Sequence, residues 1–313
     1  MKQSLIALTL GALIGSISVT TSAAPAEQNP AAGPPIHVED VYRFYRLYDA
    51  THGRPSAEQL QRDYLDAGSE GLHHLAKIRK VTGEAIAKSL DARSEVYVDA
   101  KRCMDVLPRV RERLALALAE LKRLYPTIES APSTVAVSRG KPVAVTDAQG
   151  VIVGLEALCG VQYLEANLED RFVHVMAHEY AHVQQARKAA ALVDAPKYTV
   201  LEASLLEGSA EFVAELVSGS VAYVGLPAMA KGREKALETA FLVDQDKTDL
   251  SDWLYNGTLT KPGDLGYWVG YRIAKSYYRH ADDKQRALRE ILEMTDAKAF
   301  LAASGWSPSM SLP

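Results

Sequence analysis

Apolar residues recur at helical spacing through the first third of the chain. The clearest example is residues 107–125, where three leucines and Tyr125 fall on one face and Arg and Lys on the other. Pro126 closes this segment, because proline lacks the amide hydrogen that a helix interior requires. The pattern therefore predicts that residues 37–125 form helices joined by short polar links.

The pattern changes to β-branched runs after Pro126. Residues 133–137, 143–146 and 151–155 are rich in β-branched residues, and turns that contain Gly separate them. Such runs predict strands, and we expect a small antiparallel sheet. From Asn167 onward the helical pattern returns. The predicted fold class is therefore α+β, mostly helical, with one small sheet just before the helix that begins near Asn167.

The first residues have the order of a secretory signal peptide. A short start with one positive charge, at Lys2, precedes an apolar run over residues 5–17 and then small residues. This order predicts a signal peptide over residues 1–24, and export to the periplasm or the medium. A membrane span needs about 20 predominantly apolar residues, and this run is shorter. No stable membrane span is therefore expected once the signal peptide is cleaved.

The rest of the chain is predicted to form one domain. Residues 25–36 are rich in Pro and Ala, which is typical of a flexible leader. No repeat, low-complexity block or interdomain linker follows this segment in the sequence. Residues 37–313 have a length that suits one large domain, and we predict a single one.

Charge argues against one class of partner. The 313-residue chain has 35 Lys and Arg against 39 Asp and Glu, a formal net charge of −4. Neither sign dominates any long stretch of the sequence. Because binding to nucleic acid needs a basic patch, no nucleic-acid partner is expected.

The chain has two cysteines, Cys103 and Cys159. Export would place them in an oxidising compartment, where such a pair can form a disulfide. Sequence spacing does not establish the geometry that a disulfide requires. A disulfide and two buried thiols that never meet are therefore equal alternatives at this point.

The strongest chemical signal lies on the predicted helix that begins near Asn167. His178 and His182 are four residues apart, and four residues turn a helix by about 400° and raise it by about 6 Å. Both imidazoles therefore leave one face and can bind one tetrahedral Zn²⁺. Glu179 lies beside this face, where its carboxylate can reach water without being a ligand. His174, one turn earlier, is predicted to be a packing or supporting residue.

A zinc site of this type needs a third ligand, which is predicted on a later helix. Glu207 and Glu211 are four residues apart and share one face among Leu and Phe residues. Glu207 is predicted to complete a two-His, one-Glu site that leaves a fourth position for water. Glu211 is predicted to accept the second N–H of a ligand histidine and so fix its tautomer. Glu202 is the alternative ligand, but it lies about 140° around the helix from Glu207.

Taken together, these motifs resemble those of the gluzincins, metallopeptidases with an HExxH motif and a Glu ligand on a following helix. More narrowly, the chain is similar to a bacterial family of predicted zinc-dependent proteases described as a domain of unknown function. The resemblance rests on HExxH, on the Glu-Gly-xx-Glu motif that begins at Glu207, and on the aromatic segment 266–271. It covers roughly residues 135–278. The interval from HExxH to Glu207 is longer than in several gluzincins, whose spacing fits Glu202, whereas the Glu-Gly context favours Glu207.

The resemblance implies a zincin-like fold and two features of substrate binding. The strand over residues 151–155 would correspond to the edge strand of gluzincins, to which an extended substrate could add by backbone pairing. Glu156 stands at the end of this strand. In related aminopeptidases a Glu at a similar place holds the free α-amine of the substrate, and Glu156 is the candidate for that role.

The predicted chemistry is hydrolysis of peptide bonds with Zn²⁺ as the cofactor. Zn²⁺ with three protein ligands lowers the pKa of water and polarises the scissile carbonyl. Glu179 would be the general base and would then hand the proton to the leaving amine. A phenol would help to stabilise the oxyanion. Tyr271 is preferred for this role and Tyr267, four residues earlier on the same predicted helix, is the alternative.

Two other classes of function are compatible with the sequence. A zincin-fold binding or chaperone-like protein would keep the metal site without turnover, but an inactive relative would usually have lost Glu179. A purely structural helical domain with a chance HExxH motif is disfavoured by the downstream pair Glu207 and Glu211. The sequence therefore favours a peptidase, with a peptide or protein substrate as its partner.

Overall fold

The computed structural model describes residues 33–257 and 263–312 of the chain. The strands β1 to β4 are Ile36–His37, Ser133–Ala136, Ala144–Asp147 and Gly150–Gly154. The helices α1 to α15 are Glu39–Ala50, Ala57–Gln59, Glu70–Arg79, Gly83–Ala92, Ser94–Ala100, Leu107–Leu124, Leu155–Gly160, Leu168–Lys188, Ala190–Val193, Val200–Ser218, Leu226–Ala230, Glu234–Asp244, Leu265–His280, Lys284–Leu292 and Ala297–Ala303. A π-helical turn, Leu60–Leu65, follows α2, and a 3₁₀ turn, Lys101–Met104, follows α5.

The predicted fold class is confirmed, since helices dominate and one four-stranded sheet precedes α8. Helix α6 ends one residue before Tyr125, close to the end that the sequence predicts. The predicted signal peptide lies outside the described residues, as do residues 25–32 of the predicted leader. Residues 36 and 37 form β1.

The sheet is mixed, so the prediction of an antiparallel sheet is wrong. Its strand order is β1-β2-β4-β3, and both β1 with β2 and β2 with β4 pair in parallel. Only the hairpin of β3 and β4 is antiparallel, closed by the pairing of Asp147 with Gly150. The reason is that β4 inserts between β2 and β3. All residues of β4 are buried, as a continuous Val-Ile-Val run between two neighbouring strands requires.

The prediction that the strand over residues 151–155 is the edge strand is also wrong. Strand β4, at 151–155 in the sequence prediction, lies inside the sheet, and β3 is the edge strand instead. Strand β3 contacts α8, so this edge is the one that reaches the HExxH helix. Its four residues are only partly buried apart from Ala144, which fits a strand with one unpaired side.

Two hydrophobic clusters fill the interior of the described residues. The first joins the sheet to α1, α6 and most of α8, with Phe172, Met176 and Tyr180 of α8 fully buried in it. The second surrounds α10 and α13 and includes Leu205, Phe212 and Trp268. Helices α8 and α10 pack against each other between the two clusters. The functional side chains described below lie at this seam.

A disulfide fastens the helices that lie beside the sheet. Cys103 and Cys159 are joined, with their Cα atoms 6.2 Å apart and 56 residues between them in sequence. The bond links the 3₁₀ turn after α5 to α7, and Cys103 and Cys159 are both buried. Of the two alternatives that the sequence leaves open, the structure contains the disulfide.

Candidate metal centre

Helix α8 carries the HExxH motif through the protein interior. It begins as predicted at Asn167, whose side chain accepts a hydrogen bond from the backbone N–H of Asp170. Every residue from 171 to 185 is buried. His178 and His182 lie one turn apart on one face, and their Nε2 atoms are 3.0 Å apart. The local geometry of the helix is enough to bring these two nitrogens together.

Helix α10 brings Glu207 to the two histidines. Glu207 Oε2 lies 3.2 Å from His182 Nε2 and 3.5 Å from His178 Nε2. Glu202 has a different role, because its Oε2 accepts hydrogen bonds from the N–H and the hydroxyl of Thr199 in a capping box that starts α10. Of the two candidate third ligands, the structure brings only Glu207 to the histidines.

Close packing of α10 on α13 fixes where Glu207 lies. A Cβ atom on Gly270 would stand 1.7 Å from the carbonyl oxygen of Ser204, and one on Gly208 would stand 2.1 Å from the backbone N of Tyr271. Only glycine permits such an approach of two helix backbones. The Gly residues of the Glu-Gly motif and of the aromatic segment 266–271 therefore meet each other, which explains why both segments belong to one site.

The three ligand atoms fit a zinc ion. Ligand atoms of a tetrahedral site with bonds of about 2.0–2.1 Å lie about 3.3–3.4 Å apart. The three separations in the structure are 3.0, 3.2 and 3.5 Å. All three residues are buried, and two imidazoles with one carboxylate are a donor set that zinc accepts. The geometry and the chemistry of the donors therefore both suit Zn²⁺.

Two side chains lie close to the Nδ1 atoms of the two histidines. Glu211 Oε1 lies 3.1 Å from His178 Nδ1, where the sequence predicts it. Gln185 Oε1 lies 2.7 Å from His182 Nδ1, and Gln185 also donates to the carbonyl of Leu206 on α10. A proton on each Nδ1 leaves each Nε2 free to bind a metal. Gln185 is not among the residues predicted from the sequence, although its place three residues after His182 puts it on the same face of α8.

The electrostatics of the cluster favour a positive charge. Burial alone would lower the pKa of His178, but the carboxylates of Glu211 and Glu207 outweigh it and raise this pKa to about 10. The pKa of His182 is raised against the effect of burial by Glu207. Burial would raise the pKa of Glu207, yet the two imidazoles hold it well below its usual range. Metal ligation needs neutral imidazoles, so binding of a metal ion here would release the protons that these raised pKa values favour.

Glu179 lies beside the triad and faces the edge strand. Thr146 Oγ1 on β3 donates a hydrogen bond to Glu179 Oε2 at 2.5 Å. Glu179 lines two pockets: one with His182 and Glu207, and the other with His178. Glu179 therefore borders the candidate metal site on both the His182 side and the His178 side. The contact with Thr146 was not predicted, because it depends on how β3 packs on α8.

The structure does not bring Tyr271 to the triad. The Tyr271 hydroxyl accepts a hydrogen bond from Lys275, which also pairs with Glu215, and Tyr271 lines a separate pocket that contains none of the three triad residues. Tyr267, the alternative, is buried with its ring stacked 6.3 Å from that of His178. The prediction that Tyr271 is the oxyanion donor is therefore wrong. The reason is that Tyr271 lies one helical turn beyond Tyr267, about 6 Å farther along α13.

A different phenol reaches the site. The Tyr255 hydroxyl donates to Glu207 Oε1 at 2.9 Å, and Tyr255 lines the pocket that contains Glu179 and His182. Its backbone is left-handed, with φ of 57°, in a loop between α12 and α13. Nothing periodic in the sequence marks this position, so the sequence analysis had no signal for it.

Two further predicted positions have structural contacts. Glu156 is 1% exposed, and its Oε1 accepts hydrogen bonds from the backbone N–H groups of Ser138 and Gly140. A substrate amine has no access to it, so the amine-binding prediction for Glu156 is wrong. It fixes the loop that leads to β3. His174 Nδ1 lies 2.9 Å from the hydroxyl of Ser218, a packing contact away from the triad.

Comparison with known proteins gives one match. Residues 145–301 match the sequence profile of a family described as "Predicted Zn-dependent protease (DUF2268)". The match covers half of the chain, from β3 to α15, and includes the HExxH motif and the Glu-Gly motif of α10. It confirms the narrower resemblance that the motifs predict. No curated protein and no solved structure matches the chain.

Proposed function

This chain belongs to that family of predicted zinc-dependent proteases, and we propose that it is itself a zinc-dependent peptidase with its active centre between α8 and α10. The observation that carries the proposal is the buried triad of His178, His182 and Glu207 at zinc-ligand separations, with Glu179 beside it. A carboxylate next to a zinc site but outside its ligand set is what hydrolysis by HExxH proteins needs.

Different residues of the site are proposed to have different roles in hydrolysis. Zinc bound by the triad would polarise the scissile carbonyl and make water more acidic. Glu179 is placed to take a proton from water and to give it to the leaving amine. The hydroxyl of Thr146 holds one oxygen of Glu179, which orients the carboxylate for both transfers. Tyr255, whose hydroxyl donates to Glu207, replaces Tyr271 as the proposed donor to developing negative charge.

The edge strand β3 supports a peptide as the substrate. It pairs with β4 along one side and is the last strand of the sheet, and Ala144, Val145 and Thr146 line a pocket with Glu179 and His182. A peptide in extended conformation can pair its backbone with such an edge, which would carry its carbonyl groups past Glu179. The substrate class that we propose is therefore a peptide or an unfolded segment of a protein.

Export is proposed together with this activity. The pattern of residues 1–24 supports it, as does the disulfide between Cys103 and Cys159, because disulfides persist in oxidising compartments. Among the described residues, no helix combines the length and the apolar character that crossing a membrane takes.

Metal analysis of matched histidine variants tests the proposal. We expect the purified protein to hold about one zinc per chain and to cleave a mixed peptide pool, as read by mass spectrometry. His178→Ala should lose zinc and cleavage together, because it removes a ligand. His174→Ala is the control, since it removes a histidine one turn away on the same helix and should keep its zinc. Equal zinc content in both variants would contradict the proposed site.

A further inference from the structure

A second pocket lies on the His178 side of the candidate metal centre. His178, Glu179 and Glu211 form one part of its lining, and Asp264 forms another. Asp264 is 3% exposed and stands directly before α13. None of the described residues that line this pocket is Lys or Arg. A buried carboxylate thus shares a pocket with the catalytic candidate, and the described lining contains no lysine or arginine.

Three tyrosines form the wall between Asp264 and the histidines. The rings of Tyr163 and Tyr223 are 5.5 Å apart, and those of Tyr223 and Tyr267 are 6.3 Å apart and nearly perpendicular. Tyr267 in turn stacks on His178. The faces of aromatic rings carry partial negative charge and attract cations. The tyrosine rings and the carboxylate of Asp264 therefore both favour binding of a positively charged group.

The carboxylate of Asp264 lies against the backbone of residues 255–257 and close to the hydroxyl of Tyr223. Oδ1 accepts a hydrogen bond from the backbone N–H of Asn256, and the side chain of Asn256 accepts from the N–H of Asp264. Oδ2 lies 3.5 Å from the Tyr223 hydroxyl, the limit of a hydrogen bond. Within residues 33–257 and 263–312, no Lys, Arg or His nitrogen lies within 4.0 Å of Asp264. Burial raises the pKa of Asp264, an effect that an incoming cation would oppose.

From this juxtaposition we infer that the pocket receives a cationic group of the substrate, an ammonium or a guanidinium, next to the bond that is cleaved. The inference rests on the proposed peptidase function and names its specificity. Two sources supply this chemistry: the side chain of Lys or Arg, and the free α-amine of a peptide. The apolar part of a Lys or Arg side chain would pack on the tyrosine rings, and its charged end would reach Asp264.

Matched peptides test the inference by activity. Each pair differs only in Lys against norleucine at one position near the scissile bond, or in a free against an acetylated N-terminus. We expect the wild type to cleave the cationic member of one pair at least tenfold faster, by kcat/KM, and Asp264→Asn to abolish that ratio. Asp252→Asn, an exposed acid nearby, is the control and should keep the ratio. The pair that shows the ratio identifies the source of the cation.

Asp264→Asn is a suitable change because asparagine keeps an oxygen that can accept from Asn256, so that the loop retains its bond while the charge is lost. Tyr163→Leu is a second variant that leaves this loop untouched, and it should reduce the same ratio several-fold, the usual effect of one cation–π contact. No preference for the cationic peptides in the wild type, or a preference that both variants keep, would overturn the inference. Equal loss for both members of a pair in Asp264→Asn would mean that Asp264 only holds the loop.

Binding without turnover separates this inference from the proposed function. Calorimetry on Glu179→Gln, loaded with zinc, can compare Nα-acetyl-lysine amide with Nα-acetyl-norleucine amide, and alanine amide with Nα-acetyl-alanine amide. We expect one cationic probe to bind at least tenfold more tightly than its neutral partner, and Asp264→Asn in the same background to remove the difference. Such binding in a protein that cleaves nothing would contradict the peptidase proposal alone. Cleavage of peptides with no cationic preference in either assay would contradict the inference alone.

Discussion

Helix α8 and the pair α10–α13 contribute to one site by different physical means. On α8 the two histidines meet because residues four apart in any helix share a face. Glu207 meets them only because Gly208 and Gly270 let two helix backbones approach until a single Cβ atom would clash. The first half of the site is a local property of one segment, and the second half is a property of packing between distant segments.

This difference decides how each half should respond to substitution. A substitution of a ligand histidine on α8 removes one metal donor but leaves the helix intact. The helix is buried over residues 171–185, and its N-terminal cap does not involve the histidines. A change at the glycine contact leaves every donor in the chain but displaces one of them. Substitutions in the two regions can therefore separate loss of chemistry from loss of position.

The largest expected effect on zinc binding comes from Glu207, the carboxylate that the packing of α10 places beside the histidines. Glu207→Ala should lose most of the zinc, because two histidines alone leave the site one ligand short. Glu202→Ala is the matched control on the same helix, and it should keep zinc while the loss of its cap lowers stability by about 1 kcal/mol. Zinc stoichiometry and thermal unfolding of both variants are the measurements. Loss of zinc in Glu202→Ala with retention in Glu207→Ala would reverse the ligand assignment.

A smaller effect is expected at the glycine contact itself. In Gly270→Ala the new Cβ would stand 1.7 Å from the Ser204 carbonyl oxygen, so α13 must move away from α10. Overpacking of this kind typically costs about 1–3 kcal/mol, and the free energy of unfolding should fall by that amount or more. Zinc affinity should fall as well, since Glu207 moves with α10.

Gly160→Ala is the matched control for Gly270→Ala. Nothing lies within 4 Å of a Cβ at Gly160, which ends α7, so stability should change by only about 0.5 kcal/mol or less. Denaturant unfolding of the two alanine variants, with zinc affinity measured beside it, gives the answer. A Gly270→Ala protein as stable as Gly160→Ala would show that the close approach of α10 and α13 does not position the site.

The sequence predicts the local parts of the fold well. The cap at Asn167, the three strands after Pro126 and the end of α6 near Tyr125 follow from residue types and spacing. Strand order does not follow, because a Val-Ile-Val run indicates a buried strand but not which strands lie beside it. The run therefore does not indicate that β4 lies between β2 and β3, or that β3 forms the edge beside α8.

The same division holds for the site. Helical spacing places His178 and His182 together and groups Glu207 with Glu211, and the structure brings all four to one place. Tyr267 and Tyr271 share a face of α13, and which of them reaches the histidines depends on where α13 crosses α10, which spacing within one helix does not determine. Tyr255 comes from a loop, where no period marks a functional position. Contacts between distant segments are thus what the sequence alone leaves undetermined.

The most direct test of the account is the Glu179→Gln variant, assayed for zinc and for peptide cleavage in the same preparation. Glu179 is not in the triad, so the variant should hold zinc as the wild type does. Cleavage of a mixed peptide pool should fall by roughly 10²-fold or more, the usual contribution of a positioned acid–base group. Cleavage that persists unchanged in this variant, or a zinc-loaded wild type that cleaves nothing, would contradict the account.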